Sequence, residues 1–393
     1  MYDDSTLQII EYHRSMLIDE VRTTSFLRAI LGTVKPGDVV LDMGCGTGVL
    51  SYFACIAGAK RVYAVEHGSI IELAKAICRH NGFQERVIFL NDWSTNIDLP
   101  EPVDIIITET IGNLGFEEGI LGWIIDAKKR FLTEGGRIIP RSIDMVLVPT
   151  ENPEYHDTIN TWNQELYSLD FSPARPLAVN NLLWAEWTPD LFLSEPALLV
   201  SIELAKVECA DFSGEISFVA QRDGRIHGLG GWFNAELMPG QTVSNAPPNK
   251  APSWDQTFFP LERPLQVSAG DRLCVEVQVR DNAEHWDWQV TADGSTKGGA
   301  FSPETTRFAH SSQAGNLKPP ANQRSPDYMP VRTEEAEVDL LILQLMDGAN
   351  PLSEIARRAA TKFPAYFTSY DSALEYAFHL SVDYARWANN GRS

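Results

Sequence analysis

The stretch VVLDMGCGTGVL, residues 39–50, places three closely spaced glycines between a short apolar run and a segment of helical pattern. The run ends at Asp42, and Gly44, Gly46 and Gly48 form the turn that follows. Glycine lets a ligand approach the backbone closely, and the free amides at the start of the next helix point toward that ligand. The stretch therefore predicts a strand, a ligand-binding turn and a helix.

Similar units follow this stretch along the chain. The apolar runs RVYAVE, RVIFLND and VDIIITE are typical of strands, and GVLSYFACIAGAK and IIELAKAICRHNG favour helices. Strands that alternate with helices predict an α/β fold with a doubly wound parallel sheet, here over residues 34–147. Residues 1–33 carry apolar positions at helical spacing and are expected to form helices.

After residue 147 the apolar pattern changes to a period of two, most clearly in DRLCVEVQVRD, residues 271–281. Such alternation is typical of half-buried antiparallel strands. We expect an antiparallel β-barrel or sandwich over residues 148–295. An aromatic insert, residues 161–172, interrupts it and is expected to form a helical arm.

The end of the chain has a different composition. Residues 296–332 are rich in Ser, Gly, Pro and Asn, which predicts an extended linker. Residues 333–393 show the pattern of three short helices and are expected to form a small helical domain. This segment resembles the PqqD-type domains that hold leader peptides in ribosomal-peptide maturation, and a helical cap on the barrel is the alternative.

The chain of 393 residues is strongly acidic, with 53 Asp and Glu against 32 Lys and Arg and a formal net charge of -21. This charge repels phosphate backbones and anionic lipids and attracts cationic substrates. It argues against nucleic acid and membranes as partners. It favours a basic substrate, although solubility alone is an equally good explanation.

The five cysteines are scattered and form no Cys/His cluster with metal-ligand spacing, so we expect reduced thiols and no metal site. The N-terminal MYDDSTLQ lacks the basic region and the apolar run of a signal peptide. No apolar stretch reaches the roughly 18 residues that a membrane helix needs. These features predict a cytoplasmic protein.

Polar residues follow the second and third predicted strands. Glu66 ends the second strand, where a carboxylate can accept both hydroxyl hydrogens of a ribose. Asp92, Trp93 and Ser94 follow the third strand and are placed to contact an adenine. With the glycine turn, these residues resemble the pattern of class I S-adenosylmethionine-dependent methyltransferases. A dinucleotide site or a purely structural turn is the alternative.

The fourth strand leads into TETIGNLGFEEGIL, residues 108–121, an apolar turn that carries three carboxylates. Glu109 lies at the carboxyl end of the strand, where open α/β sheets bind ligands. Two carboxylates of one loop can each accept paired N–H groups from a planar guanidinium. The alternatives are a strand-end cap for Glu109 and a solvated loop acid for Glu117.

Three segments resemble the protein arginine methyltransferase family. MLIDEVRTTSF is similar to its cofactor-covering helix, ETIGNLGFEE to its double-glutamate loop, and APSWDQTFF to a later loop on the acceptor side. The resemblance extends over residues 10–292. It implies S-adenosylmethionine as cofactor, an arginine-containing acceptor, and a homodimer that forms through the insert at residues 161–172.

The resemblance also implies roles for individual residues. The two catalytic glutamates fall on Glu109 and Glu118, and Glu117 is a neighbour of the pair. His13 and Arg22 fall near the amino-acid end of the cofactor, where Arg22 would pair with the cofactor carboxylate. For His13, a packing role is the alternative.

The acceptor side of the site is assigned to three residues, Met16, Ser253 and Trp254. Ser253 stands where the family usually has a His. Thr110 stands where a Trp usually follows the first glutamate. For Trp254, a place in the barrel core is an equally good interpretation.

Three functions follow from these residues. One is methylation of an arginine guanidino nitrogen in a protein or peptide. The second is methylation of free arginine or another small guanidine or amine in a biosynthetic pathway. The third is a catalytically silent binding scaffold, which the carboxylates and the cofactor turn argue against. In the enzymatic cases, Glu109 and Glu118 would hold the guanidinium and draw its charge away from the attacking nitrogen.

Overall fold

The structure, a computed structural model, describes residues 4–248, 253–293, 306–312 and 329–384. It divides the chain into two units, Met1–Leu317 and Lys318–Ser393. Among the described residues, none of the helices combines the length and the apolar character that crossing a membrane requires.

Two helices begin the first unit, α1 (Asp4–Ile18) and α2 (Glu20–Thr33). Asp19 separates them in an extended conformation, and its carboxylate accepts a hydrogen bond of 3.0 Å from the backbone N–H of Arg22. This bond satisfies one of the free amides at the start of α2. The predicted N-terminal helices are therefore present, with Asp19 as the cap between them.

A parallel sheet follows, built from strands that alternate with helices. Its elements are β1 (Val39–Met43), α3 (Val49–Ala57), β2 (Arg61–Val65), α4 (Ile71–His80), β3 (Val87–Leu90), β4 (Val103–Thr108), α5 (Ile120–Phe131) and β5 (Leu132–Ile139). The strand order is β3-β2-β1-β4-β5, and all pairs are parallel. This confirms the predicted α/β fold. The strand order reverses between β1 and β4, because β2 and β3 lie on one side of β1 and β4 and β5 lie on the other, and sheets of this kind bind ligands at that point.

The remaining strands of the first unit are antiparallel. They are β6 (Ser142–Thr150), β7 (Glu165–Leu166), β8 (Leu169–Asp170), β9 (Leu183–Ala185), β10 (Ala197–Glu203), β11 (Phe212–Val219), β12 (Gly224–Met238), β13 (Gln241–Ser244), β14 (Gln256–Val267), β15 (Arg272–Arg280), β16 (His285–Asp293) and β17 (Thr306–Ser311). One sheet has the order β10-β6-β12-β14-β9, with β13 paired to β12, and another has the order β11-β15-β16-β17. One continuous apolar core contains side chains from the parallel sheet and from both antiparallel sheets.

The change from the parallel to the antiparallel sheets comes earlier than residue 147, the predicted boundary. That residue lies inside β6, which begins at Ser142 and pairs with β10 and β12. The segment SIDMVLVPT is apolar from Met145 to Pro149, so its sequence does not reveal to which sheet it belongs.

The insert at residues 161–172 was expected to be helical, and this prediction is wrong. A 3₁₀ turn, Thr161–Asn163, leads into the two-stranded ribbon β7–β8, and a second 3₁₀ turn, Ser172–Ala174, follows it. Tyr167 and Ser168 close the ribbon with φ angles of 56° and 62°. A left-handed turn of this kind reverses the chain, whereas a helix would continue it. The flanking helices are α6 (Pro153–Asn160) and α7 (Arg175–Val179).

The predicted linker, residues 296–332, contains a strand, so the prediction is wrong for that part. β17 (Thr306–Ser311) pairs with β16, and its Phe308 and His310 are buried. The alternation of exposed and buried residues from Arg307 to His310 is too short to stand out in a polar segment. Residues 296–305 and 313–328 lie outside the described residues.

The described part of the second unit consists of three helices, α8 (Glu334–Leu345), α9 (Leu352–Lys362) and α10 (Tyr370–Tyr384). They enclose a separate apolar core that includes Val338, Ile342, Ile355, Ala359 and Ala377. The three helices agree with the sequence pattern. The likeness to peptide-binding domains stays a prediction.

Candidate active site

A cavity of about 750 Å³ lies at the carboxyl ends of β1, β2 and β4. The glycine turn and the double-glutamate loop form its floor, α1 and the start of α2 line another side, and residues 253–255 complete it. Of the residues assigned from the sequence, the cavity is lined by His13, Met16, Arg22, Gly44, Gly46, Glu66, Asp92, Trp93, Ser94, Glu109, Glu118, Ser253 and Trp254. Asp42 and Gly48 are not among the residues that line it.

The glycine turn has the left-handed backbone that its sequence predicts. Gly44, Gly46 and Gly48 have φ angles of 68°, 52° and 84°. A Cβ atom on Gly46 would lie 2.9 Å from the ring of His13, which also lines the cavity. A Cβ atom on Gly48 would lie 2.5 Å from the hydroxyl of Tyr52, behind the turn. Gly46 therefore keeps the cavity open, whereas Gly48 permits the helix to pack.

Two acids support the turn. Glu66 accepts hydrogen bonds from the backbone N–H of Gly46, at 3.1 Å, and of Gly68, at 2.8 Å. Asp42 is fully buried, and one of its carboxyl oxygens accepts a hydrogen bond of 2.6 Å from Ser51. Burial raises the pKa of Asp42 to about 7. Asp42 therefore supports the turn from its buried side. Glu66 lines the cavity, where its carboxylate oxygens still have lone pairs for a ligand.

Aromatic side chains form the end of the cavity that lies after β3. Trp93 stacks on His67, with ring centroids 3.9 Å apart, and on Trp123, at 5.9 Å. Asp92 accepts a hydrogen bond from the side chain of Asn96 at 2.9 Å. The sequence reasoning missed His67 and Trp123. His67 could have been found from its position directly after the strand-end acid Glu66. Trp123 could have been found from its position in the first turn of a helix.

Arg22 and Glu109 form an ion pair within the cavity. Both side chains are less than a tenth exposed. The guanidinium carbon of Arg22 lies 5.7 Å from the ring centroid of Trp254, and one of its nitrogens donates 3.2 Å to the carbonyl of Met16. The pair joins α2 to the carboxyl end of β4, although the two residues are 87 positions apart.

Glu118 faces the same cavity as Glu109 and is accessible from it. Protein atoms surround its carboxyl on the other sides, and this burial raises its pKa to about 7. Repulsion from Glu109 and Glu117 raises the pKa further, and attraction to Arg22 opposes the rise. A cation that entered the cavity would stabilise the charged form of Glu118.

Glu117 points away from the cavity, and the prediction of a solvated loop acid is wrong for it. Its carboxylate folds back over its own loop, accepts a 3.2 Å hydrogen bond from the N–H of Phe116, and lies against Gly112. Burial raises its pKa to about 7, while amides of the loop, including those of Leu114 and Asn113, oppose the rise. Glu117 therefore shapes the loop that carries Glu118.

The antiparallel sheets hold this loop in place. The side-chain oxygen of Asn282 accepts a 2.8 Å hydrogen bond from the N–H of Gly122, in the first turn of α5. Asn245 donates 2.7 Å to the carbonyl of Asn113, whose side chain accepts 2.9 Å from the N–H of Asp255. Because α5 begins directly after Glu118, these contacts fix the direction from which Glu118 enters the cavity.

Two other residues assigned from the sequence, Ser253 and Trp254, line the cavity next to α1 and α2. Ser253 donates its hydroxyl to Asp19 at 2.5 Å, and its backbone N–H donates to the same oxygen at 3.1 Å. Trp254 is 5% exposed and packs edge-on against Phe233, with centroids 5.1 Å apart. Trp254 lines the cavity as well, and its role toward the acceptor stays a prediction.

Comparison with known proteins agrees with this geometry. Residues 142–291 match the model of the arginine methyltransferase oligomerization subdomain, and residues 21–142 match the model of ribosomal protein L11 methyltransferase. The chain is similar to a chain of the Trypanosoma brucei PRMT1 enzyme–prozyme heterotetrameric complex with AdoHcy, with a TM-score of 0.69 and 28% identity over 76% of this chain and 97% of that one. It shares its fold with Arabidopsis thaliana protein arginine methyltransferase 10, with a TM-score of 0.66 and 21% identity over 77% of this chain and 99% of that one.

Curated relatives are similar over most of the chain. Protein arginine N-methyltransferase 1 of Chlamydomonas reinhardtii is 34% identical over 282 residues, which cover 70% of this chain and 81% of the relative. Protein arginine N-methyltransferase 2 of Xenopus tropicalis is 32% identical over 292 residues, which cover 70% and 67%. This extent of identity shows that the chain belongs to the protein arginine N-methyltransferase family.

Proposed function

We propose that this chain methylates a guanidino nitrogen of arginine in a protein or peptide. As a member of its family it is a methyltransferase that uses S-adenosylmethionine. The observation that carries the proposal is the presence of two carboxylates, Glu109 and Glu118, in the cavity that the glycine turn lines. A planar guanidinium offers paired donors that match two such acceptors.

The cavity fits the cofactor. The left-handed glycines leave room where a side chain at Gly46 would collide with His13. We assign the ribose to Glu66, which keeps lone pairs for two hydroxyls, and the adenine to the aromatic end of the cavity at Trp93. When bound, the cofactor supplies an electrophilic methyl group on a sulfonium.

The two glutamates bind, align and activate the acceptor. A guanidinium is always charged and its lone pairs are delocalised, so its nitrogen is a weak nucleophile on its own. Carboxylates at one side of the group draw the positive charge toward themselves and align the opposite nitrogen. Replacing an N–H by N–CH₃ releases one proton. Glu118, with a pKa raised to about 7, is suited to take up that proton.

An acceptor panel tests this function. Labelled S-adenosylmethionine is incubated with free arginine, agmatine, arginine-containing peptides and total lysate protein, and the products are read by mass spectrometry. The proposal expects label on arginine side chains of peptide or protein. Label only on free arginine or agmatine would support the small-molecule alternative, and label on none of them would contradict guanidine methylation.

We also propose that the enzyme works as a homodimer. Residues 142–291 match an oligomerization subdomain, and the insert within them exposes apolar side chains. Trp162 is 39% exposed, Leu169 60% and Tyr167 94%. Three large exposed apolar groups in one short insert are a common feature of a protein interface. We infer that the insert docks on a second copy of the chain.

A further inference from the structure

Trp184 lies at the mouth of the cavity. Its side chain is 76% exposed, yet it is among the residues that line the cavity, so it lies where the cavity opens to solvent. Tyr12, from α1, is 60% exposed and lines the cavity too. Partial burial and the charges of Glu118 and Glu109 raise the pKa of the Tyr12 hydroxyl, which therefore lies near both carboxylates. The mouth that leads to the two glutamates thus carries aromatic side chains from two different elements.

The strand that carries Trp184 is held firmly at the edge of its sheet. Trp184 pairs with Thr257 of β14. Three positions further on, Trp187 is buried, its backbone N–H donates 2.7 Å to the side chain of Gln256, and its indole N–H donates 3.1 Å to the carbonyl of Thr257. A fixed backbone therefore presents the indole of Trp184 to solvent. Such a preorganised side chain loses little freedom when a ligand binds to it.

The cavity and its mouth are negatively charged. Five Asp and Glu side chains line the cavity, whereas Arg22, which is paired with Glu109, is the only lysine or arginine among the described residues that do so. Asp255, directly before β14, is one of the five. The alternation of exposed and buried residues after Trp184 puts Glu186 on the exposed side together with it. An indole face in such a field favours a cation, because the ring quadrupole and the carboxylates both attract positive charge.

We propose that Trp184 is a specificity-determining residue for the acceptor, and that its indole stacks on a second cationic side chain, lysine or arginine, near the target arginine of a peptide. The proposal rests on the proposed function, because it takes a peptide arginine as the group that enters the cavity. In an extended peptide, the residues one and two positions away lie within about 7 Å of the Cα of the target. These neighbours stay at the mouth, where Trp184 lies. Free arginine has no such neighbour, so Trp184 favours a peptide with clustered basic residues.

A set of peptides tests the role of Trp184. Each peptide has one arginine among glycines, and a single lysine is placed in turn at each position within two residues of that arginine. Norleucine in place of the lysine gives the matched peptide without the charge. In the wild type, lysine at one or more of these positions should raise kcat/KM at least about threefold over norleucine, as expected for a cation–π contact. The gain should come from a lower KM, with kcat within about twofold, because Trp184 does not touch the reacting nitrogen.

Three variants separate the indole from the general attraction of an acidic protein for lysine. Trp184→Leu should remove the preference for lysine over norleucine, and Trp184→Phe, which keeps an aromatic face, should retain part of it. Leu198→Ala is the matched control and should keep the wild-type preference. Leu198 is 53% exposed on β10, which lies at the opposite edge of the same sheet from β9.

The outcomes separate the role of Trp184 from the acceptor class. An equal preference for lysine in Trp184→Leu and in the wild type would overturn the proposal, as would the absence of a preference in the wild type. If none of the peptides were methylated, methylation of peptide arginine would be contradicted. Calorimetry with the same peptides and S-adenosylhomocysteine would then decide on Trp184 alone. Tighter binding of a lysine peptide that is lost in Trp184→Leu would support the contact, and equal binding of lysine and norleucine peptides would overturn it.

Discussion

Asp19 and Ser253 join the N-terminal helices to the antiparallel sheets through one carboxylate oxygen, which accepts both the hydroxyl and the backbone N–H of Ser253. The other oxygen of Asp19 caps α2 at Arg22. One side chain thus fixes the start of the helix that carries Arg22 and ties it to the loop that carries Trp254. The cavity wall depends on this junction.

Ser253→Ala should loosen the junction between α1 and α2. Hydrogen bonds to charged groups contribute roughly 1.5 to 3 kcal/mol, so amides near Asp19 should exchange with solvent about tenfold faster. Hydrogen exchange measured by mass spectrometry reads this directly. Ser201→Ala is the matched control, because it removes a 2.5 Å bond to Asp144 on the outside of the sheet. Equal protection of residues 16–22 in both variants would contradict the junction.

Gly46→Ala should abolish most cofactor binding. The new Cβ would lie 2.9 Å from the ring of His13, inside the cavity. Calorimetry with S-adenosylhomocysteine should show at least about a tenfold loss of affinity, equivalent to about 1.4 kcal/mol. Gly82→Ala is the control, because Gly82 is also left-handed, with φ 76°, but has no atom within 4 Å of its Cβ position. A similar affinity for S-adenosylhomocysteine in both variants would contradict the assigned cofactor site.

The activity should depend on the charge of Glu118. Its pKa is raised to about 7 by burial and by Glu109 and Glu117, against the attraction of Arg22. A carboxyl with a raised pKa is protonated, and unable to grip a cation, below that pH. We expect kcat/KM to fall as the pH drops below about 7 and to level off above it. Tyr12, which faces the same charges, titrates much higher, since burial and both glutamates raise its pKa.

Comparison with Glu118→Gln shows whether the bend in the pH profile belongs to Glu118. The variant has no carboxyl at this position, so its smaller kcat/KM should lack the bend near pH 7. Profiles that bend equally in both proteins would assign the titration to another group, such as Asp42, whose pKa is also raised to about 7 by burial.

The parts of the fold that follow from local pattern could be predicted from the sequence. The glycine turn, the strand-end positions of Glu66 and Glu109 and the places of Asp92 and Trp93 follow from the alternation of strands and helices. In parallel sheets the carboxyl ends of the strands share one edge. The sequence alone therefore predicts that residues far apart in the chain meet in one cavity.

The contacts that tune the site could not be predicted in this way. The partner of Glu109 is Arg22, 87 positions away, and the acceptor for the N–H of Gly122 in α5 is Asn282, 160 positions away. Periodicity reports which face of an element is buried and says nothing about such pairs. Glu117 was misread for the same reason, because its partners are the amides of a loop whose path the pattern does not specify.

The homodimer should depend on the insert at residues 161–172. A Trp162→Ser, Tyr167→Ser double variant removes two exposed apolar groups without disturbing the core, and it should dissociate at micromolar concentration. Sedimentation velocity distinguishes monomer from dimer. Val219→Ser, which changes a 53% exposed side chain elsewhere on the same unit, should stay dimeric. A wild-type protein that sediments as a monomer would refute the proposed interface.

The central claim is that Glu109 and Glu118 act together on the acceptor, and the most direct measurement is the rate of methyl transfer in Glu109→Gln and Glu118→Gln. Each loses a charge-assisted contact of roughly 1.5 to 3 kcal/mol, so each should be slower by at least about tenfold. Affinity for S-adenosylhomocysteine should not fall in either variant. Glu20→Gln, an exposed carboxylate outside the cavity, is the control and should react at the wild-type rate. Normal methyl transfer by both cavity variants, on an acceptor that the wild type methylates, would contradict the account.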